Sequence, residues 1–162
     1  MVRLLLSYAN GYHCGTQGGA GDNAAEMPAE EAGAVLRWKK IVLRNKWQTV
    51  ELQNPTYSQM LCFSVQKGPG QKDMPDVIIG GPTVGDYGYG TPVFAVEFIF
   101  KFLQRWGAIA IQQVIDPFVG RGTTLAMAEK YGFSPVGIDN DRDQCEKARE
   151  LTVKQLESYR CE

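Results

Sequence analysis

The sequence predicts an α/β fold with an open, partly parallel sheet and an antiparallel hairpin. From residue 90 to residue 162 the hydrophobic periodicity alternates between helix and strand, in the order helix, strand, helix, strand, helix. Before residue 90, short strand-like runs are separated by turn-forming residues, which is typical of antiparallel strands. We therefore expect one domain over residues 1–162, made of a β-rich half (1–89) and an alternating half (90–162).

The composition fits such a domain. The chain has 162 residues, 44% apolar and 22% charged, with a net charge of −1, so it can bury a core without disulfides or metal. The four cysteines form no C-x-x-C pair and there is one histidine, so we expect no metal site. His13 and Cys14 could act as base and thiol, but an ordinary loop pair is the favoured interpretation. No apolar run is long enough to span a membrane, so we expect a cytoplasmic or nuclear protein.

Strand-like runs dominate the first half. The predicted strands are Val2–Ser7, Lys39–Leu43, Thr49–Leu52, Met60–Val65 and Val77–Ile79. The residues from Pro28 to Leu36 are mostly good helix formers after a proline, which predicts a short helix there, although Gly33 disfavours it. The strands around Met60 suggest an antiparallel hairpin or meander.

The second half begins with an amphipathic helix from Thr91 to Trp106, on which Glu97 and Lys101 form an outward-facing i,i+4 pair. The sequence then predicts two parallel strands, the first of them buried, and two further helices. These elements are a strand from Ile109 to Asp116, a helix from Thr123 to Lys130, a strand from Pro135 to Asp139 and a last helix to about Tyr159.

A glycine-containing turn follows the first of these parallel strands. In an open α/β sheet, ligands bind beyond the carboxyl ends of the strands, which is where the segment from Asp116 to Gly122 and Asp139 both fall. Gly120 and Gly122 let the backbone approach a ligand, and the amides at the start of the next helix favour a carboxylate or phosphate. Asp139 is suitably spaced to accept hydrogen bonds from ribose hydroxyls.

The spacing of this turn excludes two common nucleotide sites. A dinucleotide fingerprint requires a third glycine or an alanine where this chain has Leu125, so NAD is disfavoured. A P-loop requires G-x-x-x-x-G-K-[ST], which is absent here. A small adenosine-containing ligand remains.

The run Asp116-Pro117-Phe118-Val119-Gly120-Arg121-Gly122-Thr123-Thr124, followed by Val136-Gly137-Ile138-Asp139, resembles S-adenosylmethionine-dependent methyltransferases. It is most similar to the cofactor-binding part of the permuted amino-group (N6-adenine and N4-cytosine) DNA methyltransferases. Their sequences contain D-P-F-x-G-S-G-T-T and G-I-[DE] with this spacing. The resemblance covers about residues 90 to 160 and departs from the family at Arg121, where a serine is usual. It implies a Rossmann-like fold.

The same resemblance implies which residues surround S-adenosylmethionine. The methionine part would lie among Asp116, Phe118, Gly120 and Gly122, with Thr123 and Thr124 on its carboxylate. Asp139 would hold the ribose, and Asn140 or Asp141 would border the adenine or simply cap a helix. The helix from Gly90 to Trp106 matches a ligand-contacting helix of the family. This match implies that Thr91 is a further cofactor-binding residue.

The family marks its amine acceptor site with [DNS]-P-P-[YFW], and the nearest match is Asn54-Pro55-Thr56-Tyr57. Thr56 replaces the second proline, so a turn between two strands is the favoured interpretation. In the alternative interpretation, Asn54, Pro55 and Tyr57 are candidates for catalysis. The 89 residues before Gly90 are few for the remaining parallel strands and a target-recognition region, which leaves open an incomplete sheet.

A basic run rich in aromatic residues suggests contact with nucleic acid. Its five basic residues are Arg37, Lys39, Lys40, Arg44 and Lys46. Alternation of Lys40, Val42 and Arg44 also fits a solvated edge strand, and this second interpretation is favoured.

We therefore predict an S-adenosylmethionine-dependent methyltransferase that acts on an amine nitrogen of nucleic acid. Two alternatives stay open, namely a non-catalytic cofactor-binding subunit of a homo- or hetero-oligomer, and a methyltransferase acting on protein or small molecules.

Overall fold

The computed structural model describes residues 4–10, 31, 33–43, 57–64, 74–85, 90–105 and 113–159. The chain folds as two compact units, Met1–Ile78 and Ile79–Glu162. The expected organisation as one domain with halves meeting at Gly90 stays a prediction. Among the described helices, none has the length and apolar character needed to cross a membrane.

The described strands of the first unit form one four-stranded sheet. Its strands are β1 (Leu4–Asn10), β2 (Val35–Leu43), β3 (Tyr57–Ser64) and β4 (Val77–Ile79). They lie in the order β1-β3-β2-β4, and β3 is antiparallel to both β1 and β2. The antiparallel arrangement predicted for this half is thus confirmed, and the strand predicted at Thr49–Leu52 lies outside the described residues.

The helix predicted from Pro28 to Leu36 is wrong at its carboxyl end, where β2 begins instead at Val35. Gly33 adopts a left-handed conformation with φ 72°, which stops a right-handed helix. The β-branched Val35 then favours extended backbone. Ala34 is buried with Leu61 and Phe63 in a small apolar core.

The solvated-edge interpretation of β2 is also wrong. The strand lies between β3 and β4, and its buried face carries Trp38, Lys40 and Val42, whereas Lys39 and Ile41 are exposed. The Lys40 side chain is fully buried, and its Nζ donates to Asp76 Oδ1 at 2.9 Å. A single ion pair therefore lets a lysine occupy a position that alternation alone assigned to solvent.

The second unit alternates helices and strands as predicted. Its elements are α1 (Val93–Arg105), β5 (Gln113–Asp116), α2 (Thr123–Lys130), β6 (Ser134–Gly137), α3 (Arg142–Glu150) and α4 (Val153–Ser158). The single last helix predicted up to Tyr159 is two helices, because Leu151 and Thr152 are extended. Thr152 and Gln155 form a capping box that starts α4.

Glu97 of α1 is buried, not outward-facing as predicted, with only 5% of its surface exposed. Its carboxylate contacts Lys101 Nζ at 3.4 Å and Lys130 Nζ at 3.5 Å, and it accepts a hydrogen bond from the Tyr131 hydroxyl at 3.0 Å. These partners compensate for the lost hydration of the carboxylate. The pair with Lys101 is present, but the carboxylate belongs to the packing between α1 and α2.

Strands β5 and β6 are parallel, with Ile115 opposite Val136. The strand ending at Asp116 is predicted to be buried, and this is wrong for one face of β5, because Ile115 is 60% exposed. Ile138, just after β6, is 54% exposed. Helix α2 packs on these strands. The side chains that alternate with Ile115 and Val136 are half-buried, so only one face of this strand pair is covered within the second unit.

Candidate functional site

The turn after β5 is bonded directly to the segment after β6. Asp116 ends β5 and its Oδ1 accepts a hydrogen bond from the Phe118 amide at 3.0 Å, which starts the turn. The Ile138 amide donates to the Asp116 carbonyl at 2.8 Å, and the Val119 amide donates to the Ile138 carbonyl at 2.9 Å. These two backbone bonds extend the parallel pairing past the strand ends and fix the two loops against each other.

Asp139 joins the two sequence motifs. Its Oδ2 accepts a hydrogen bond from the Gly120 amide at 2.9 Å, and its Oδ1 accepts one from the Asp141 amide at 3.0 Å. Hydrogen bonds from the amides of Asp141, Gly120 and Asn140 hold the pKa of this carboxyl below its ordinary value, against a smaller opposing effect of desolvation. The site therefore presents an ionised carboxylate at the edge of the glycine turn.

The two glycines of the turn serve different purposes. Gly120 has φ 49° and a Cβ added there would meet nothing within 4 Å, so the turn borders open space at this residue. Gly122 has φ 84°, and a Cβ there would lie 2.8 Å from the backbone of Ala148. The sequence suggested that both glycines admit a ligand; at Gly122 the absent side chain admits helix α3.

A third glycine, Gly137 at the end of β6, has a packing role that sequence reasoning missed. A Cβ on Gly137 would lie 2.6 Å from Val119 Cγ2 and 2.9 Å from Leu125 Cδ1. Leu125, which stands where a dinucleotide fingerprint has glycine or alanine, is accommodated by this glycine. The signal was present in the sequence, since Gly137 interrupts a strand-like run.

Helix α2 begins without a capping side chain. Its N-cap is Gly122, and no carboxylate lies in its first turn. Thr123 is buried and Thr124 is half-buried. The first amides of a helix have no partner within the helix, so this end can receive an anion.

The other candidate residues differ in exposure. Phe118 is 87% exposed in the turn, and Asn140, the residue after Asp139, is also exposed. Asp141 caps α3, because its Oδ1 accepts from the Asp143 amide at 2.9 Å. Thr91 is half-buried just before α1. Among the described residues, no cluster of three His, Cys, Asp or Glu side chains could hold a metal ion.

The candidate acceptor motif is described only in part. Tyr57 is the first residue of β3 and pairs with Leu43 of β2, whereas Asn54 and Pro55 lie outside the described residues. Tyr57 thus belongs to an antiparallel sheet in the first unit, and not to the end of a parallel strand.

The basic run is also divided. Arg37 Nε donates to Ser64 Oγ at 2.7 Å, and Lys39 is exposed. The burial of Lys40 removes it from any surface that could bind phosphates. Arg44 and Lys46 lie outside the described residues.

Comparison with solved structures identifies the fold. The structure of the M1.HpyAVI–SAM complex matches with a TM-score of 0.61 and 16% identity, covering 80% of this chain and 68% of that one. PvuII DNA methyltransferase, which is cytosine-N4-specific, matches with a TM-score of 0.61 and 14% identity, covering 98% and 68%. TTHA0409, a candidate DNA modification methylase from Thermus thermophilus solved with S-adenosyl-L-methionine, matches with a TM-score of 0.58 and 15% identity, covering 83% of this chain and 60% of that one.

The chain has a DNA methyltransferase fold. The similarity to PvuII DNA methyltransferase covers almost the whole chain, well beyond residues 90 to 160 that carry the sequence resemblance. The chain spans 60% to 68% of the length of these three proteins. No protein-family model matches the sequence, and no curated protein matches it either.

Proposed function

We propose that this chain is an S-adenosylmethionine-dependent methyltransferase that modifies an amine nitrogen of nucleic acid. The observation that carries the proposal is the hydrogen bond between the Gly120 amide and Asp139 Oδ2 at 2.9 Å. It unites the glycine turn and the acid at the tip of the neighbouring strand in one place, as a nucleoside site at the carboxyl edge of parallel strands requires. Similarity to folds solved with S-adenosylmethionine supports the same ligand.

The residues present fit this cofactor. A carboxylate kept ionised by backbone amides is suited to accept hydrogen bonds from the two ribose hydroxyls, and Asp139 provides it. The backbone at Gly120 is open where a side chain would obstruct a ligand. The uncapped start of α2, at Thr123 and Thr124, suits the carboxylate of the methionine part. Asp116, Phe118 and Gly122 complete the turn, and Thr91 and Asn140 are proposed at its borders.

When bound, the cofactor supplies a methyl group on a positively charged sulfur. Methyl transfer is an in-line displacement, so the protein contributes alignment and exclusion of water more than a nucleophile of its own. The rigid part of this site is the turn, because Asp116, Val119 and Gly120 are each fixed by hydrogen bonds of 3.0 Å or less. The ring of Phe118, which is 87% exposed, is proposed to cover the bound ligand.

Nucleic acid is proposed as the acceptor because the neighbours in fold are named as DNA-modifying enzymes. Within the chain, Arg37, Lys39, Arg44 and Lys46 are the remaining basic candidates for phosphate contacts. Asn54, Pro55 and Tyr57 are proposed to accept the amine hydrogens and stack on the base.

The proposal is tested in two steps on the full chain. Calorimetry with S-adenosylmethionine should show binding that Asp139→Ala weakens at least about tenfold, the cost of losing charge-assisted hydrogen bonds. Glu150→Ala, which removes an exposed carboxylate at the carboxyl end of α3, is the matched control and should bind as wild type does. Transfer of a labelled methyl group to DNA and RNA then tests the reaction, and absence of cofactor binding by the wild type would refute the proposal.

A second candidate function is cofactor binding without catalysis by this chain alone. The position of Tyr57 favours it, since this residue starts an antiparallel strand and Thr56 replaces the second proline of the acceptor motif. Binding of S-adenosylmethionine together with no methyl transfer to DNA, RNA or protein would select this candidate.

A further inference from the structure

The glycine turn contains a charged residue for which the described residues provide no ion pair. Arg121 lies between Gly120 and Gly122, and no carboxylate among the described residues forms an ion pair with it. Its Nε atom is shielded from solvent and has no hydrogen-bond partner in the described part of the chain. A shielded guanidinium nitrogen without an acceptor is unfavourable, so this nitrogen calls for an acceptor that the described residues do not supply.

The carboxylates at the ends of β5 and β6 accept hydrogen bonds from backbone amides and form no ion pair with Arg121. Asp139 accepts hydrogen bonds from the amides of Gly120 and Asp141, and Asp116 accepts one from the Phe118 amide. The first turn of α2 adds no acidic side chain, and its N-cap is a glycine. Arg121 therefore comes just before the positive end of α2 in the sequence, and only Gly122, which has no side chain, stands between them.

We infer that Arg121 recognises the carboxylate of the amino-acid part of the cofactor and makes the site selective for ligands that carry it. This inference rests on the proposed function, because it assigns one part of the same ligand to one residue. A guanidinium is well suited to a carboxylate, since it can donate two parallel hydrogen bonds in a fixed plane. The serine that the resembling family has at this position could donate only one hydrogen bond and would carry no charge.

The test compares two ligands that differ in this group. S-adenosylhomocysteine carries the carboxylate, and 5′-methylthioadenosine keeps the adenosine and sulfur but lacks it. In wild type, S-adenosylhomocysteine should bind at least about tenfold more tightly. Arg121→Ser should remove most of that preference by weakening S-adenosylhomocysteine binding at least about tenfold, while 5′-methylthioadenosine binding stays within about twofold.

Controls separate recognition from a structural role. Arg121→Lys keeps the charge and should retain part of the preference. Gln144 on α3 also has a shielded side-chain atom, Oε1, without a partner in the described residues, so it provides a control at a second unsatisfied polar group. Gln144→Ala should leave the preference unchanged. Thermal unfolding of each variant identifies any that does not fold.

The results distinguish the two claims. If wild type binds neither ligand, the proposed function fails and the inference fails with it. If wild type binds both and Arg121→Ser leaves the preference intact, or weakens the two ligands equally, only the inference is overturned. Loss of DNA affinity by Arg121→Ser at unchanged S-adenosylhomocysteine affinity would assign the guanidinium to a phosphate, which also overturns it.

Discussion

At the scale of single residues, the turn shows that a glycine motif can combine unrelated requirements. Gly120 and Gly122 both have positive φ, yet only Gly122 is pressed against another backbone, that of Ala148. From the sequence alone, both glycines are interpreted as parts of one ligand-binding motif. The structure separates them into a residue that borders open space and a residue that lets α3 approach.

This difference predicts unequal costs of adding one methyl group. Gly120→Ala should reduce the free energy of unfolding by about 1–2 kcal/mol, the cost of a left-handed residue with a side chain. Gly122→Ala adds a clash with the Ala148 backbone and should cost about 2–5 kcal/mol in total. Urea unfolding of the two variants measures both values. Equal losses would show that α3 does not pack on Gly122.

Asp139 gives a second prediction at this scale, about pH. Because backbone amides lower its pKa in the folded protein, its stabilising contribution is complete above the ordinary carboxyl pKa and is lost as the pH falls through the folded value. A carboxyl carbon titration by NMR should give a midpoint below 3.8, the ordinary value. Asp139→Asn should make unfolding less dependent on pH in that acid range. A midpoint at or above 3.8 would contradict the hydrogen-bonded geometry.

At the scale of elements, the described part of each unit buries a charged side chain that a hydrophobicity pattern would place in solvent. Lys40 lies on the covered face of β2 and Glu97 on the covered face of α1. Each has partners from a neighbouring segment: Asp76 for Lys40, and Lys130 and Tyr131 for Glu97. Alternation and helical periodicity locate a face, but they do not reveal a distant partner that makes burial of a charge tolerable.

The Lys40 pair can be tested by a double-mutant cycle. Asp76 is 90% exposed, whereas the Lys40 side chain is fully buried, so removing the aspartate leaves a buried ammonium without its carboxylate. Asp76→Asn should therefore destabilise the protein by about 1–2 kcal/mol. In the Lys40→Met background the same substitution should cost almost nothing. Equal costs in both backgrounds, measured by urea unfolding, would show that the pair does not couple the residues.

At the scale of the whole molecule, local sequence patterns predicted the order of the elements better than they predicted which strands are neighbours. The order of helices and strands after residue 90 and the antiparallel strands before it followed from periodicity and from turn residues, and the contact between Gly120 and Asp139 followed from the edge rule for parallel strands. The central position of β2 and the open face at Ile115 depend on which strands become neighbours. That information is spread over distant residues, so no local window contains it.

The first unit contains a thiol that should report on its opening. Cys62 lies in β3 with 1% of its surface exposed, and burial raises the pKa of its thiol to about 12, although the charge of Arg37 opposes the shift. Thiolates are the reactive form, so at pH 8 the folded thiol should be almost unreactive for two reasons, burial and protonation. A variant that keeps only Cys62 (Cys14→Ser, Cys145→Ser and Cys161→Ser together) isolates its reaction with a thiol reagent.

In that variant, labelling at pH 8 should be slow in buffer and should accelerate in step with loss of the circular dichroism signal as urea is added, because the strand must open first. The matched control keeps Cys145, which is half-buried in α3 and whose Sγ donates to the Asp139 carbonyl at 3.8 Å. A ligand held by Asp139 should slow labelling of Cys145, whereas Cys62 should respond only as far as opening of the first unit depends on the second. Rapid labelling of Cys62 without urea would contradict its burial in the sheet.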